Sequence, residues 1–287
     1  MKITIVSHST IDLFVNGEQN YEQVGGPTYY GGIIAKNLRA TVFLQTKFGQ
    51  DFLFRNKLID HNFLFENKPS NQLTTKFKIN LIQNELFLES FCEPITSINY
   101  DSDITIIDPV FHEIDPYVLE QIPHTSTVFL DPRGFLRQLD SQRRIFLSKS
   151  DINLVNISIL KLTDFESLIL TGHSGINAMR HLQKLGVQTI ILFRENEILL
   201  LNKNNLYTIR NKSFKYHNAI GVMDIFNAAF CCTYINEHDI IWALCFGGGS
   251  MQAALTINEL NITKFPTRNM IETNAAYFYN LLQFTQI

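Results

Sequence analysis

The sequence has little of what marks secreted, membrane-bound or nucleic-acid-binding chains. Its 287 residues include only 4 cysteines, Cys92, Cys231, Cys232 and Cys245, and no C-x-x-C pair. Their neighbours Phe230, Leu244 and Phe246 are apolar, so buried free thiols are expected, with neither a disulfide framework nor a zinc site. A charge excess is also missing. Lys and Arg number 24 against 27 Asp and Glu, a formal net charge of −3, which argues against nucleic acid or an anionic membrane as a partner. No run approaches the ~18 consecutive apolar residues of a membrane span. Met1–Val6 reads as a strand and lacks the apolar core of a signal peptide. A soluble, cytoplasmic protein is the expectation.

Several catalytic signatures are absent too. There is no G-x-G-x-x-G and no G-x-x-x-x-G-K-[ST], so neither a dinucleotide fingerprint nor a P-loop is present. Without H-E-x-x-H, H-x-H or G-x-S-x-G, metallopeptidase and serine-hydrolase readings fall away. His173, between Gly172 and Ser174, reads as a turn residue.

What is present is a chain that can bury a large core, 45% hydrophobic with 23 phenylalanines. Strand-like runs are expected at Lys2–Ser7, Thr41–Thr46, Asp103–Ile107, Thr127–Leu130, Ile152–Val155, Gln188–Phe193 and Glu197–Leu201. Several are continuously apolar, as strands covered on both faces are. Helix candidates lie between and after them, at Gly32–Leu38, Pro116–Gln121, Phe165–Leu170, Gly175–Leu185, Asp224–Tyr234 and Asp239–Leu255. The alternation predicts a doubly wound, mainly parallel α/β sheet flanked by helices, in one domain over residues 1–287. One stretch departs from it. Thr74–Leu81 and Glu85–Phe91 alternate apolar and polar residues around Ile82-Gln83-Asn84 and read as an antiparallel hairpin. With residues 12–15 it forms a small β excursion, around 70–95, placed as a sheet edge or as a lid over the strand ends.

Three groups of residues could carry chemistry. Gly221-Val222-Met223-Asp224 runs directly into an apolar helix, whose first amides and dipole favour an anion. Asp224 there suits deprotonation of a hydroxyl that attacks a phosphoryl group; read alone, such an Asp is more often a plain helix cap. Gly25-Gly26-Pro27-Thr28-Tyr29-Tyr30-Gly31-Gly32 suits a polyol or ribose pocket, or equally an ordinary glycine-rich connection. Asp12, Asp108, Asp131 and Glu166 lie at predicted strand ends, where side chains converge on a ligand in α/β folds.

Taken in order, these segments resemble the ribokinase-like (PfkB) carbohydrate kinase family over almost the whole chain. Ser9-Thr10-Ile11-Asp12 is similar to the family's first strand end with its sugar-binding Asp. Gly25-Gly26, then Lys47-Phe48-Gly49-Gln50-Asp51 and the hairpin, resemble the di-glycine signature, the G-x-D turn and the lid. Asp131-Pro132-Arg133-Gly134-Phe135-Leu136-Arg137 looks like the D-P-x-G-x-x-R stretch of archaeal-type members. Lys161–Glu166 stands where the family has N-x-x-E, and Gly221–Phe226 where it has G-A-G-D-A-F.

The resemblance implies transfer of a phosphoryl group from ATP with Mg2+ to a primary hydroxyl of a small sugar, polyol or nucleoside. Asp224 would be the base, and the amides of Gly221, Val222, Met223 and Asp224 the anion hole, which reverses the cap reading above. Asp12, Gly25, Gly26 and Asp108 would bind the acceptor. Thr163 and Arg194 would lie at the nucleotide, and Glu166 would hold magnesium through water. A homodimer through the lid is implied as well, although a lid packed on its own domain explains the apolar faces of Phe77–Leu88 equally.

This chain departs from the pattern at Met223, at Asn218, at Thr163 and at Leu192–Glu197, where the family's T-x-G-x-x-G loop would fall. Met223 in place of glycine is expected to misshape the anion hole, and Arg194 is expected to pair with Glu195 or Glu197 at the surface. Two functions follow. One is a kinase with a divergent nucleotide site. The other is a catalytically impaired sugar- or nucleoside-binding or regulatory protein of the same fold.

Overall fold

The computed structural model describes residues 1–211, 220–257 and 265–287; Asn218 lies outside them. Its main sheet has 10 strands, in the order Leu64–Phe65, Thr41–Gln45, Lys2–Val6, Ile104–Ile107, Val128–Leu130, Ile159–Thr163, Thr189–Arg194, Glu197–Asn202, Asn205–Arg210 and Gln283–Gln286. Pairing is parallel from Leu64–Phe65 through Thr189–Arg194 and antiparallel beyond. Lys2–Val6 pairs with Thr41–Gln45 on one side and with Ile104–Ile107 on the other. The chain order therefore reverses at the first strand, which opens a crevice at the carboxyl ends.

Alternate residues of the parallel strands feed two cores. Ile3, Ile5, Ile104, Ile106, Phe129, Ile159, Ile191 and Phe193 pack with the helices Pro27–Asn37, Val222–Glu237, Ile240–Ile257 and Arg268–Leu281. Val6, Ile107, Val128, Leu130, Leu160, Leu162 and Leu192 face Leu119, Met179 and Leu182 on the opposite side. This is the arrangement that continuous apolar strands require.

A second sheet of 4 strands has the order Gln19–Gly25, Thr10–Asn16, Lys76–Asn80, Glu85–Ser90. It contains the expected hairpin, extended by the antiparallel pair Thr10–Asn16 and Gln19–Gly25. A short ribbon, Arg137–Leu139 against Ile145–Leu147, meets it through a bridge between Phe87 and Arg144.

Two expectations need correction. Ile152–Val155 is no strand: the Asn153 side chain accepts from the Val155 amide at 2.9 Å, Val155 is exposed and Asn156 turns with φ 71°. The strand of that region is Ile159–Thr163, whose apolar run is broken by Lys161. Ile240–Ile257 is long and apolar enough, by length and composition, to cross a membrane. Its small residues instead let other helices close on it: a Cβ on Gly247 would meet the Phe226 ring at 2.8 Å, and one on Gly249 the Ala275 amide at 2.7 Å. The cysteines are free and buried, as expected.

Candidate active site

The carboxyl ends of the parallel strands carry a cluster of buried charge. Asp108 follows Ile104–Ile107, Asp131 follows Val128–Leu130, and Lys161 points from within Ile159–Thr163. Lys161 Nζ lies 2.6 Å from Asp131 Oδ2 and 5.6 Å from the centre of the Phe193 ring. Arg133, two residues past Asp131, donates its amide to Asp131 Oδ1 at 3.2 Å. Its Nη2 lies 3.1 Å from Asp224 Oδ1, 3.5 Å from Asp108 Oδ1 and 3.9 Å from Asp131 Oδ2. Asn227, one turn after Asp224 on its helix, donates to Asp108 Oδ2 at 2.9 Å. Glu113 fixes the turn after Asp108, accepting from the Val110 and Phe111 amides at 2.7 Å each and from the His8 amide at 3.1 Å.

Burial and neighbours separate the protonation of these carboxyls. Burial opposes ionisation of Asp131, but the Lys161 and Arg133 charges outweigh it and hold the group at about 2. Asp108 is pushed well above the carboxylate range by burial and by the charges of Asp131 and Asp224. Asp224 is also raised by burial, with Arg133 opposing. Divergent values within one set of carboxyls are an acid–base signature.

Asp224 sits in the first turn of Val222–Glu237. Gly221 precedes that helix at φ 75°, and a Cβ there would lie 2.5 Å from the Tyr30 ring, so turn and packing both require glycine. Positive φ is needed at Gly221 and not at Met223, which lies within the helix and is largely buried. The expected distortion of the anion hole by Met223 therefore does not occur. Val222 is buried behind the same turn. First-turn amides have no intrahelical acceptor, so those of Val222, Met223 and Asp224 are left for a ligand.

Across a cavity of about 360 Å³ from Asp224 stands Asp12, in the strand Thr10–Asn16. It accepts from the Thr10 hydroxyl at 3.0 Å, and burial pushes its carboxyl up to about 7. A Cβ on Gly25 would fall inside the Asp12 carboxylate, and Gly26, at φ 84°, caps the helix Pro27–Asn37. Thr10, Asp12, Gly26, Tyr30, Thr163, Glu166, Gly221, Met223 and Asp224 line this cavity with Arg133, Arg137 and Lys161, while Phe77, Ile79, Leu81 and Leu86 close its other side. Arg137 donates to the Val110 carbonyl at 2.6 Å and lies 5.6 Å from the centre of the Phe77 ring. Burial and Arg133 lower its guanidinium to about 10.

Thr163 and Glu166 form a capping box on Asp164–Thr171: the Thr163 amide donates to Glu166 Oε2 at 2.7 Å, and the Glu166 amide to Thr163 Oγ1 at 3.2 Å. The other Glu166 oxygen has no protein donor among the described residues. This fits a water-mediated hold on Mg2+. Direct ligation has less support, since among the described residues no three His, Cys, Asp or Glu side chains are grouped to hold a metal.

Arg194 is not brought to the cavity. It pairs with Asp164 at 3.6 Å, whereas Glu197 pairs with Arg210 at 2.6 Å, so the expected partner was wrong. Glu195 and Asn196 form a tight turn between the paired strands Thr189–Arg194 and Glu197–Asn202. Sequence reasoning gave no role to Lys161, Arg133, Arg137 or Asn227. The available signal was a lysine inside an apolar strand run, which a fold tolerates only with a buried partner.

No protein-family model and no curated protein matches the sequence. Solved structures do match in fold. A pyrophosphate-dependent kinase in the ribokinase family, in a sulfate complex, superposes with TM-score 0.80 at 18% identity, covering 95% of this chain and 99% of the other. A pyrophosphate-dependent kinase in that family complexed with a pyrophosphate analog and myo-inositol gives TM-score 0.79 at 18% identity over 94% and 99%. Ribokinase from Arabidopsis thaliana, complexed with ribose and ATP, gives TM-score 0.73 at 15% identity over 95% and 98%. The chain has the ribokinase-like fold, as the sequence resemblance implied.

Proposed function

We propose that the chain is a phosphotransferase acting on a primary hydroxyl of a small sugar, polyol or nucleoside. The observation that carries this reading is Asp224, a buried carboxyl of raised pKa in the first turn of a helix, facing Asp12 across one cavity. A raised carboxyl is a stronger base toward a hydroxyl than one in the usual range. The acceptor hydroxyl gives its proton to Asp224 as its oxygen forms a new bond to the terminal phosphorus. The bond from phosphorus to the donor's bridging oxygen breaks, and its electron pair leaves with the released phosphate group.

The amides of Val222, Met223 and Asp224 receive the developing charge. Asp12 accepts hydrogen bonds from the acceptor's other hydroxyls, with Gly25 and Gly26 keeping the backbone close. Asp108, expected to bind the acceptor as well, is fully buried and does not line the cavity, so it supports the floor through Asn227 instead. Mg2+, when bound, would screen the phosphate charge, and Glu166 would hold it through water. The small sheet acts as a lid, and a homodimer through it belongs to the same reading, with sedimentation velocity as its check.

ATP is the donor that the sequence resemblance implied. A specific observation favours a second donor, pyrophosphate: where the family's nucleotide loop was expected there is a tight turn at Glu195 and Asn196, while Arg133, Arg137 and Lys161 converge on the cavity. The fold is shared with pyrophosphate-dependent kinases and with a ribokinase complexed with ATP, so the choice of donor rests on the site.

The test is phosphorus NMR of the protein with pooled sugars, polyols and nucleosides and either Mg-ATP or Mg-pyrophosphate. Transfer from either donor, lost in Asp224→Asn while acceptor binding persists, supports the assignment. Unchanged turnover in Asp224→Asn, or no transfer from either donor, overturns it and leaves the binding-protein reading.

A further inference from the structure

Arg133 is used in an unusual way for a guanidinium. A single atom, Nη2, is shared among Asp224, Asp108 and Asp131 at 3.1, 3.5 and 3.9 Å. Only the first is a hydrogen-bond distance. Its Nε is buried and has no acceptor among the described residues, and neither has Asp108 Oδ1 a donor. A fork of five donors that makes one good side-chain bond is poorly satisfied. A buried donor without a partner carries a desolvation cost that a bound acceptor would remove. The guanidinium also lines the cavity beside the first turn of Val222–Glu237, where an anion with several oxygens is favoured.

We propose that Arg133 is a two-position residue that couples the base to the donor. Without donor its Nη2 holds Asp224 Oδ1; with a polyphosphate bound, the fork turns to the phosphoryl oxygens and leaves Asp224 free to take the acceptor's proton. The proposal rests on the kinase reading above. The chemistry of the switch follows from the charges facing Asp224: Arg133 and Lys161 favour its ionised form, while Asp12, Asp108 and Asp131 oppose it. Withdrawing Arg133 toward phosphate removes the nearest favourable charge, so Asp224 becomes more basic when a donor is in place. A protein without donor keeps its base hydrogen-bonded, and acceptor binding alone does not activate it.

The test is a double-mutant cycle on anion affinity, which separates competition for Arg133 from a general change of charge. Pyrophosphate and, separately, Mg-ATP are titrated calorimetrically into the wild type, Asp224→Asn, Arg133→Lys and the double variant, with folding checked by circular dichroism. Arg133→Lys keeps the charge that the carboxylates need but removes the fork. In the wild-type background Asp224→Asn should tighten anion binding about tenfold, the worth of one released charge-assisted bond. In the Arg133→Lys background the gain should fall below about threefold.

An equal gain in both backgrounds overturns the proposal, because the anion then only senses lost negative charge. Failure of both anions to bind the folded wild type also overturns it. If the Lys variant does not fold, Arg133→Gln with the same titrations takes its place, with the same two outcomes. Phosphoryl transfer persisting without the coupling would sink this inference and leave the kinase reading standing. Coupling without transfer from any donor would sink the kinase reading and leave standing only the exchange of Arg133 between Asp224 and a bound anion.

Discussion

On one side of the cavity Arg133, Lys161, Glu166 and Asp224 are presented by the ends of parallel strands and the starts of helices; on the other the small sheet presents Phe77, Ile79, Leu81 and Leu86. The first wall is a set of charges already paired within the protein, from Lys161–Asp131 at 2.6 Å to Arg133–Asp224 at 3.1 Å. The second is mainly apolar, with Asn84 and Glu85 also lining it, and holds one buried acid, Asp12, which accepts from the Thr10 hydroxyl. The difference teaches where each task resides. On the proposed function, chemistry that needs fixed charge is built on elements of the main sheet, and the shape of the acceptor is left to the small sheet, whose Phe77 and Leu88 form a separate small cluster with Val110.

That division predicts a large catalytic effect on the charged wall. Asp224→Asn should lower turnover by about 10²–10⁴-fold, the usual worth of a general base, with acceptor affinity unchanged in calorimetry. A loss of acceptor affinity equal to the loss of turnover would mean that the two walls are not separate.

Next in size is a stability effect on the same wall. Lys161→Met keeps the length of the side chain but leaves the ionised Asp131 without its ammonium. Breaking a buried pair in this way costs about 3–5 kcal/mol, read as a shift in the urea midpoint. Adding Asp131→Asn should recover part of the loss, because the uncompensated charge goes with it.

How much of this was legible follows the chemistry of each residue. Asp224 with Gly221, and Asp108 and Asp131, could be read because a glycine turn before a helix and a carboxylate after a strand are local patterns, whereas Asp12 lies within the strand Thr10–Asn16 and Glu166 in the first turn of a helix. The two cores were equally readable from continuous apolar strands. Lys161 was hidden because its meaning depends on Asp131, 30 positions earlier, and its charge broke the very run that should have marked the strand. Arg133 and Asn227 take their roles from a junction of strand ends with a helix start, which no window shows. The helix Arg268–Leu281 carried its own signal in the spacing of Ile271, Ala275 and Phe278, its buried residues. Its otherwise polar and aromatic surface masked it.

The lid wall should show itself through pH. Burial raises the Asp12 carboxyl from 3.8 to about 7 in the folded protein. Because the folded value lies above the unfolded one, the native state is favoured while Asp12 is protonated, and that advantage is lost as pH rises from about 4 to about 7. At about 1.4 kcal/mol per unit the loss approaches about 4 kcal/mol. Asp12→Asn should therefore be more stable than the wild type at pH 8, by up to that amount, and converge with it near pH 4. Parallel stability curves would place Asp12 in water and remove the acid from the apolar wall.

The smallest effect probes the join between the walls. The Arg137 guanidinium lies 5.6 Å from the centre of the Phe77 ring, a contact that links a cation of the floor to an aromatic of the small sheet. Phe77→Leu keeps an apolar group in a buried position and removes the ring. Cation–π pairs contribute about 0.5–2 kcal/mol, so a stability loss near the lower end is expected, partly masked by repacking. If the small sheet shapes the acceptor site without taking part in chemistry, the same substitution should raise the acceptor KM several-fold and leave kcat alone. A fall in kcat at constant KM would mean that the ring holds Arg137 in place for the donor, and that the apolar wall shares in catalysis after all.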